Sequence, residues 1–515
     1  MAARAREGGQ GRGYGDFQTP PRFAEAVCGK LKELYGLAPK VIVEPTCGEG
    51  NLIAAAMSAF PEARRAFGIE IDGRHLEKAG RLLRSVETPC ELRLFNSDVF
   101  SFDFGNVTAA LSPEDGILIV GNPPWVTNSE LSSLGSRNLP PKNNLKGWKG
   151  LDAITGKGNF DISEAIALRL LAAFSGLGAT LAMLVKASVA RNLVRDADRL
   201  GLEFRSADLH VFDAREVFGA SCEAGLLVIR EGVPGDGSCS VRDFGTGAAL
   251  RRFGWRRGAF FSDLDAPGSE ADGECPFAWR QGVKHDCVAV MELTPCRDGG
   301  FVNGLGEMAR LPVGGSVFPL LKGSELRTPV AGVPRRHVVV TQRRIGEDTA
   351  RLKAEDPEVW SYLTRHRERL GLRRSAVYRG SPEFSVFGVG PYAFARYKVG
   401  ISGFHKEPRF SLAAGAPPVM LDDTCYYLSF EEPGDAAATL ALLNSRLCAE
   451  LLGSVAFPDS KRPFTKGVLK RIDLGKLASA LGRDYIEGYL REAVPGVAVT
   501  GHDLDGYLRR LNGDG

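Results

Sequence analysis

The sequence predicts an α/β fold with a doubly wound, mainly parallel sheet, followed by a second domain of mixed α/β structure. In the first half, short apolar runs of strand length alternate with helical stretches, and glycine-rich or polar turns follow the ends of those runs. This βαβ rhythm is typical of parallel sheets whose faces are covered by helices. The second half shows no regular alternation, which favours a separate domain.

Strands are predicted wherever a short apolar or alternating run is bounded by turn residues. These runs cover residues 41–43, 66–69, 91–95, 117–120, 179–185, 206–211 and 224–229. Helices are predicted at 52–60 and 75–86, between the first three strands, because residues of helical pattern separate the strands there. Asn51 directly precedes the first of these helices and is expected to cap it.

A run of glycine, proline and small polar residues separates the two predicted domains. It extends from Glu231 to Ser238, and its composition is typical of a linker. We therefore expect a first domain over residues 15–232 and a second over 239–515, in which a strongly charged helix covers 357–370. Residues 1–14 are rich in arginine and glycine and are expected to be a disordered tail, with a nucleic-acid-touching arm as the alternative.

Composition and cysteine spacing argue against several classes of protein. The 515 residues are 44% hydrophobic and 25% charged, an ordinary globular mixture. No apolar run reaches ~18 residues, and the N-terminus lacks the pattern of a signal peptide, so no membrane is expected as a partner. The ten cysteines include no Cys-x-x-Cys pair, which argues against a zinc site and a disulfide framework. We expect no metal and a cytoplasmic protein with reduced thiols.

Positive charge is concentrated in the second half. The whole chain carries a net charge of +3, whereas residues 320–410 contain eighteen Lys and Arg against nine Asp and Glu. A basic region in an otherwise acidic chain suggests a polyanionic partner such as nucleic acid, although basic stretches are often just solvated surface. The candidates for such a contact are Arg343, Arg344, Arg373 and Arg374.

The first predicted strand runs into a glycine-rich turn. The segment from Val41 to Gly50 reads VIVEPTCGEG, and Gly48 and Gly50 allow the backbone to pass close to a bound molecule. In doubly wound sheets, ligands lie beside such turns at the carboxyl ends of the strands. A dinucleotide site would need a third glycine where Ile53 stands, and a P-loop would need a lysine. The turn therefore predicts a site for a nucleoside ligand without phosphates.

Carboxylates follow the next two predicted strands. Glu70 ends the second strand and can accept hydrogen bonds from both hydroxyls of a ribose. Asp98 follows the third strand and can accept a hydrogen bond from the amino group of an adenine. Each acid taken singly is most simply a solvated loop residue. Together with the glycine turn, they predict a nucleoside site at one edge of the sheet.

The fourth apolar strand ends in the most specific motif of the chain, Asn122-Pro123-Pro124-Trp125. The prolines stiffen the loop and confine Asn122 to an extended backbone. The side-chain carbonyl of Asn122 and the backbone carbonyl of Pro123 can accept hydrogen bonds from an amino group. Trp125 offers a face for stacking a base, and Phe218 can cover the other face. The alternative is a proline-rich turn whose aromatic neighbours pack in the core.

These groups suit methyl transfer to an aromatic amine. The lone pair of such a nitrogen is delocalised into the ring, so acceptors that favour a tetrahedral nitrogen make it a better nucleophile. No general base is needed, because methyl transfer makes the nitrogen strongly acidic and its proton can leave to water. A base in duplex DNA must first leave the helix, at a cost of roughly a few kcal/mol.

With these motifs in order, the chain resembles the gamma-class amino DNA methyltransferases. The matching segments are Thr19-Pro20-Pro21, Glu44-Pro45, Glu70-Ile71-Asp72, Asp98, Asn122–Trp125, Gly156–Phe160 and Val217-Phe218. In the second half, 317–326 resembles the start of the second lobe of their recognition domains, and 442–446 with 464–469 resembles their closing helix and strand. Trp125 stands where the family usually has Tyr or Phe, and residues 126–155 do not match clearly.

The resemblance implies a class I methyltransferase sheet followed by a target-recognition domain. It implies methyl transfer from S-adenosylmethionine to the exocyclic amino group of adenine in double-stranded DNA, with base flipping, in restriction-modification or phage defence. The implied catalytic residues are Asn122, Pro123, Pro124, Trp125 and Phe218. The implied cofactor-binding residues are Thr19, Glu44, Pro45, Thr46, Gly48, Gly50, Glu70, Asp98 and Asn122, and the segment from Phe17 to Pro21 resembles the one that closes over the methionine end of the cofactor.

Other assignments stay open at the level of the sequence. Related motifs serve enzymes that methylate glutamine in release factors, bases of ribosomal RNA, or cytosine. The glutamine enzymes carry a helical domain before the cofactor turn, where this chain has only about forty residues, and the cytosine enzymes usually carry Ser in place of Asn122. A catalytically silent DNA-recognition subunit is a different class, and the intact Glu44, Glu70 and Asp98 argue against it. A separately encoded restriction endonuclease or defence protein is an open partner.

Overall fold

The fold divides into two units, Met1–Asp265 and Ala266–Gly515. The structure is a computed structural model that describes residues 17–126, 161–202, 206–233, 235–266, 270–495 and 501–512. The tail expected over 1–14, the segment Gly156–Phe160 and residues 127–155 lie outside these described residues.

Strands and helices alternate through the first unit. The strands are β1 (Val41–Glu44), β2 (Arg65–Glu70), β3 (Glu91–Asn96), β4 (Ile117–Gly121), β5 (Thr180–Lys186), β6 (Ser206–Phe212), β7 (Ala224–Arg230), β8 (Ser238–Asp243), β9 (Ala249–Arg256) and β10 (Ala259–Phe261). The helices are α1 (Pro21–Tyr35), α2 (Asn51–Ala59), α3 (Gly73–Leu83), α4 (Gly105–Thr108), α5 (Ile162–Ala173), α6 (Ala187–Leu200) and α7 (Ala214–Phe218). All seven strands that the sequence predicted are present as β1 to β7.

The strands of the first unit form one ten-stranded sheet, in the order β10-β9-β8-β6-β7-β5-β4-β1-β2-β3. The strands from β3 through β2, β1 and β4 to β5 run parallel, and β7 lies antiparallel between β5 and β6. The connection from β3 to β4 therefore carries the chain to the other side of β1. Open α/β sheets bind ligands at such a reversal, outside the carboxyl ends of the strands.

The core of the first unit lies on both faces of the central strands. Every residue of β1 and of β4 is buried, because parallel strands covered by helices on both sides are apolar throughout. Helix α1 buries Val27 and Leu31, and α2 buries Leu52 and Ile53, in the same hydrophobic cluster. This packing fixes the strand ends from which the candidate site is built.

The predicted linker at 231–238 connects two strands of the same sheet. β8 begins at Ser238 and pairs in parallel with β6, and β9 and β10 continue the sheet through antiparallel pairs. Residues 239–265, which the sequence assigned to the second domain, therefore belong to the first unit. A connection rich in glycine and proline has the same composition whether the chain returns to its sheet or leaves it, so the pattern could not locate the boundary.

The second unit is a mixed α/β structure with two smaller sheets. Its strands are β11 (Arg280–Gln281), β12 (Glu292–Pro295), β13 (Phe301–Asn303), β14 (Met308–Ala309), β15 (Val317–Leu321), β16 (Arg336–Val339), β17 (Tyr397–Ser402), β18 (Ser411–Ala414), β19 (Met420–Leu421) and β20 (Cys425–Phe430). Its helices are α8 (Val288–Met291), α9 (Leu352–Glu355), α10 (Pro357–Arg365), α11 (Arg367–Gly371), α12 (Pro433–Leu443), α13 (Arg446–Val455), α14 (Lys466–Leu469), α15 (Leu474–Ala493) and α16 (Gly501–Asn512). One sheet has the order β14-β13-β12-β16-β15-β19, and the other β11-β20-β17-β18.

Two predictions for the second unit are corrected by the structure. The charged helix expected over 357–370 is two helices, α10 and α11, because His366 between them leaves the helical conformation with φ −104° and ψ 14°. The strand expected within 464–469 is the short helix α14. Thr465 caps it by accepting a hydrogen bond from the backbone N–H of Val468 at 3.4 Å, which favours a helical turn over a strand.

The structure also locates the cysteines. All ten are free, and seven of them are buried. Within the described ranges, no helix combines the length and the apolarity that crossing a membrane requires, and no group of three or more His, Cys, Asp or Glu side chains is arranged to hold a metal.

Candidate functional site

A cleft of about 880 Å³ lies at the carboxyl ends of β1 to β4. Its volume lies in the usual range for a small-molecule site. The predicted cofactor residues that line it are Thr19, Glu44, Pro45, Thr46, Gly48, Glu70, Asp98 and Asn122. The structure therefore brings together every residue of that predicted set except Gly50. Of the predicted catalytic residues, Asn122 and Pro124 line the cleft.

The glycines of the turn permit close approaches within the chain itself. Gly48 has φ +51°, and a Cβ there would lie 2.4 Å from the side-chain oxygen of Gln18. Gly50 has φ +87°, and a Cβ there would lie 3.0 Å from the Cβ of Ala79 on α3. Gly48 thus lets the segment 17–20 cross the turn, and Gly50 lets α2 begin against α3. From the sequence, both glycines were expected to let the backbone pass close to a bound ligand, whereas here they make room for other parts of the chain.

The two carboxylates of the turn region have different environments. Glu70 is half-buried, and its two oxygens accept hydrogen bonds from the backbone N–H groups of Gly48 at 2.9 Å and Asp72 at 2.8 Å. Carboxylate oxygens carry further lone pairs, so Glu70 can still accept from a ligand. Asp98 accepts from the N–H of Phe100 at 2.9 Å, which holds it directly after β3.

Glu44 caps helix α2 from the end of β1. It is 2% exposed, and its Oε2 accepts from the backbone N–H of Ile53 in the first turn of the helix, at 2.9 Å. Burial raises the pKa of Glu44 well above its ordinary value, the negative charge of Glu70 adds to the rise, and the N–H of Ile53 opposes it. A carboxylate from a neighbouring strand therefore performs the capping that the sequence assigned to Asn51.

The prediction that Asn51 caps α2 is wrong. Asn51 is the first residue of the helix, and Gly50 is the N-cap. Because Glu44 already accepts from the helix N-terminus, the Asn51 side chain is available for another contact, and it donates to the backbone oxygen of Thr19 at 3.0 Å. Gln18 accepts from the N–H of Glu49 at 3.0 Å. The segment 17–20 is thus tied across the glycine turn at two points.

Asn122 follows β4 and points an unpaired oxygen into a buried space. Its Nδ2 donates to the backbone oxygen of Phe17 at 2.7 Å and to the hydroxyl of Thr19 at 3.2 Å. Its Oδ1 is buried and has no hydrogen-bond partner among the described residues, and the same is true of Thr46 Oγ1. A buried unpaired acceptor costs about 1–3 kcal/mol, so these two atoms mark where a ligand can donate.

Trp125 and Phe218 lie in an aromatic cluster. Trp125 is 4% exposed, and its Nε1 donates to the backbone oxygen of Leu184 on β5 at 3.0 Å. Its ring centroid lies 5.6 Å from that of Phe17 and 5.2 Å from that of Phe218. The ring that the sequence predicted as a stacking surface is thus covered by the protein's own side chains. Neither residue, nor Pro123, lines the cleft.

Arg373, one of the predicted DNA contacts, is turned into the second unit. Its guanidinium donates to the backbone oxygens of Ser385 at 2.7 Å and Leu370 at 2.9 Å, and it lies 3.9 Å from the centroid of the Tyr378 ring. Burial lowers its pKa. This side chain fastens the segment after α11 to the body of the unit.

The other three predicted arginines are exposed. Arg343 lies 4.4 Å above the ring of Phe394 and donates to the backbone oxygen of Gly315 at 3.2 Å. The side chains of Arg344 and Arg374 have no partner in the parts of the chain that are described. These three remain available to an external anion, and their role in DNA binding stays a prediction.

Sequence reasoning missed the part that Phe17, Gln18 and Asn51 play at the cleft. The segment from Phe17 to Pro21 was expected to cover the cofactor, but not to hold Asn122. The contact with Asn122 uses a backbone carbonyl, which every residue type carries, so no sequence pattern could have revealed it.

Parallel strands that end in a glycine turn, two acids and an Asn-Pro-Pro-aromatic loop define a class I methyltransferase fold, as the sequence predicted. The chain belongs to the type II methyltransferase family. It is 38% identical over 475 residues to the type II methyltransferase M.NspV of Nostoc sp., and the match covers 91% of this chain and 98% of that protein. A scan against models of known families finds no match.

A solved structure shares the fold over nearly the whole chain. The type IIL restriction-modification enzyme MmeI, determined in complex with DNA, matches with a TM-score of 0.53 and 13% identity, covering 96% of this chain and 71% of that one. At this identity the likeness concerns the fold alone. It extends through both units, so the fold of the second unit also has a counterpart in that structure.

Proposed function

We propose that this chain is a DNA methyltransferase that uses S-adenosylmethionine to methylate the exocyclic amino group of adenine, as part of a restriction-modification system. One observation carries the proposal: Asn122 presents a buried, unpaired carbonyl oxygen beside a nucleoside-sized cleft. Membership of the type II methyltransferase family supports the methyl-transfer part. The choice of adenine rests on the Asn-Pro-Pro-aromatic motif.

The cleft residues fit S-adenosylmethionine. Glu70 offers carboxylate lone pairs to the ribose hydroxyls, and Asp98 offers an acceptor to the adenine amino group. The buried hydroxyl of Thr46, which lacks a partner among the described residues, is suited to a polar group of the ligand. When bound, S-adenosylmethionine supplies an electrophilic methyl group carried by a sulfonium.

Asn122 is proposed to accept a hydrogen bond from the amino group of the substrate. This contact favours a nitrogen whose lone pair is localised, and a localised lone pair is a better nucleophile. The Nδ2 group of Asn122 donates to Phe17 and Thr19, which favours the orientation that offers Oδ1 to the substrate. The backbone carbonyl of Pro123 is the second proposed acceptor. The proton released by the amino group can leave to water.

Trp125 and Phe218 are proposed to enclose a flipped base. Because Trp125 is 4% exposed, a base can stack on its face only after Phe17 or Phe218 has moved aside. Stacking on an aromatic face is worth ~1–3 kcal/mol per base, which offsets part of the cost of that movement and of base flipping.

The second unit is proposed to recognise double-stranded DNA. Lys and Arg hold phosphates and fix the register of the duplex, whereas a subset of side chains reads the bases. Arg343, Arg344 and Arg374 are the candidates for contact, since they are exposed in the most basic stretch of the chain. Arg373 is proposed to hold the segment that carries Arg374 in place, through its hydrogen bonds to the backbone oxygens of Leu370 and Ser385. A separately encoded endonuclease is a proposed partner.

The proposal is tested by product analysis. The purified protein is incubated with S-adenosylmethionine labelled in its methyl group and with duplex DNA, and the digested nucleosides are identified by mass spectrometry. N6-methyladenine is the expected product. N4-methylcytosine would keep the methyltransferase and reject the adenine assignment. Transfer to RNA or protein but not to DNA would reject the proposal altogether.

The role of Asn122 is tested by Asn122→Ala. Removing a preorganised polar partner of developing charge costs ~10²–10³ in rate, so single-turnover methylation should fall by that factor. DNA affinity should change little, because phosphate contacts dominate it. Asn106→Ala is the matched control, since Asn106 is exposed on α4 and is absent from the cleft lining. Near-normal methylation by Asn122→Ala would exclude the mechanism.

A further inference from the structure

We infer that Thr19 is a positioning residue for Asn122: the carbonyl of Phe17 orients the amide of Asn122, and the hydroxyl of Thr19 restrains that amide so that Oδ1 stays directed toward the substrate. The inference rests on the proposed function, in which Oδ1 accepts from the target amino group. It assigns to Thr19 a role distinct from the cofactor contact that the sequence implied.

The two acceptors around Nδ2 explain why the amide takes one orientation. Nδ2 carries two hydrogens, and it donates to the carbonyl of Phe17 and to the hydroxyl of Thr19. If the amide turned over, Oδ1 would face the carbonyl oxygen of Phe17, and two acceptors cannot bond to each other. The Phe17 carbonyl therefore selects the orientation, and the Thr19 hydroxyl restrains the amide from a second side.

Thr19 is itself held independently of Asn122. Its backbone oxygen accepts from Asn51, the preceding Gln18 is bonded to the turn at Glu49, and Pro20 is the N-cap of α1. Thr19 is 6% exposed. The backbone that carries the hydroxyl is thus held before any substrate arrives, which is what preorganisation of the neighbouring amide requires.

Removing the hydroxyl should loosen the amide without removing it. Thr19→Val keeps the shape of the side chain and deletes the acceptor, while the anchors at Asn51 and Gln18 stay in place. The carbonyl of Phe17 still accepts from Asn122, so the loss should be smaller than for Asn122→Ala. We expect single-turnover methylation at saturating S-adenosylmethionine to fall by up to ~10²-fold, the cost of a reacting group displaced by about 1 Å.

A second variant separates the hydroxyl from the packing of the side chain. Thr19→Ser keeps the hydroxyl and loses the methyl group, so it should recover most of the rate that Thr19→Val loses. Thr108→Val is the matched control, because Thr108 lies on α4 with its hydroxyl bonded to Phe104 at 3.1 Å, and its rate should equal that of the wild type. A Ser variant as slow as the Val variant, or a Val variant as fast as the wild type, would overturn the inference.

A double-mutant cycle tests whether Thr19 acts through Asn122. In an Asn122→Ala background, Thr19→Val should cause no further loss of rate, since the amide that it positions is absent. A loss of the same factor in both backgrounds would mean that Thr19 acts elsewhere. If Thr19→Val lowers the thermal midpoint of the protein, Thr19→Cys is used in place of Thr19→Val in the same cycle. A thiol fills similar space and is only a weak hydrogen-bond acceptor, so it also weakens the contact with Asn122.

The outcome for Thr19 is distinguishable from the outcome for the proposed function. Product analysis of the wild type decides first whether adenine in DNA is methylated. A wild type that methylates DNA, combined with a Thr19→Val variant of unchanged rate, rejects the positioning role and leaves the function standing. A wild type that transfers no methyl group to DNA rejects the function, on which the role of Thr19 depends.

Discussion

Two groups of buried oxygen atoms, one in each unit, have different surroundings. In the first unit, the unpaired oxygens of Thr46 and Asn122 belong to residues that line the same cleft. In the second unit, the buried carboxylate of Glu292 lies 2.7 Å from Lys322 Nζ and 3.4 Å from an Arg336 nitrogen. The oxygens of Thr46 and Asn122 are thus available to a ligand, whereas the carboxylate of Glu292 already forms ion pairs within the protein. Substitutions in the first unit should alter ligand binding and rate, and those in the second should divide between stability and DNA affinity.

The largest effect on binding is expected at the carboxylate that links β2 to the glycine turn. Glu70→Ala removes a proposed charge-assisted bond to the cofactor, so affinity for S-adenosylmethionine should fall by roughly 1–3 kcal/mol. It also removes the acceptor of the Gly48 N–H, which adds to the loss. Isothermal calorimetry measures the affinity.

Glu91→Ala is the control for Glu70. Glu91 is an exposed acid at the first residue of β3, at the opposite edge of the sheet, and is paired with Arg93 at 2.8 Å. Its removal should leave cofactor affinity unchanged. Equal affinities for Glu70→Ala and the wild type would refute the cofactor assignment and, with it, the contrast between the units.

The next largest effects are expected at two adjacent arginines of the second unit, one on DNA affinity and one on thermal stability. Arg374→Ala should lower DNA affinity and reduce the slope of log K against log salt concentration by about 1, because one phosphate contact is lost. Its thermal midpoint should not change. Arg373→Ala should instead lower the thermal midpoint, because the backbone oxygens of Leu370 and Ser385 lose their donor. Titrations at several salt concentrations, beside thermal melts, separate the two. If Arg373→Ala lowered DNA affinity and Arg374→Ala lowered the thermal midpoint, Arg373 would be the residue that contacts DNA.

Per pH unit, the smallest effect is expected at a buried lysine in the second unit. Lys398 on β17 is 1% exposed, its Nζ donates to the backbone oxygen of Ala395 at 2.7 Å, and burial lowers its pKa to about 7. The folded pKa lies below the unfolded value of ~10.4, so between these values the unfolded chain binds more protons. The contribution of Lys398 to stability therefore rises with pH across that window, by at most ~1.4 kcal/mol per pH unit.

Lys398→Met removes this titration. The stability of the Met variant relative to the wild type should be greatest near pH 7 and should shrink as the pH rises toward 10, as measured by thermal melts at several pH values. Lys353→Met is the control, because Lys353 is exposed beside the ring of Trp360 and should show no such trend. A stability difference for Lys398→Met that is constant with pH would exclude a neutral buried amine.

The helices and strands of the central sheet could be predicted because each is marked by a run or a repeat of apolar residues that are close together in sequence. The strands of the central sheet are continuous apolar runs, such as Ile117 to Val120, that burial on both faces requires. The extension by β8 to β10 could not be predicted, since β8 pairs with β6 across a connection that resembles a linker. In the second unit, strands as short as Arg280–Gln281 carry no period to detect.

Those parts of the site whose chemistry follows from residue type could be predicted from the sequence. The burial and the contacts of a side chain depend on residues that are distant in sequence, and these could not be predicted. Glu70, Asp98 and Asn122 were located at one cleft because strand ends meet at one edge of a parallel sheet. The burial of Trp125 depends on Phe17, which is distant in sequence. Arg373 and Arg374 are identical in type and adjacent in sequence, yet only the structure shows which of them is committed to carbonyl groups.

Strands β8 to β10 have a consequence for how such chains can exchange parts. Without them, the seven residues of β6 would form an uncovered sheet edge, and an uncovered edge invites pairing with other chains. A graft that joins a new second unit directly after Arg230 would omit these strands and create that edge, whereas a joint between Asp265 and Ala266 keeps the ten-stranded sheet complete. A graft of a new second unit should therefore yield a folded hybrid only when the joint falls after β10.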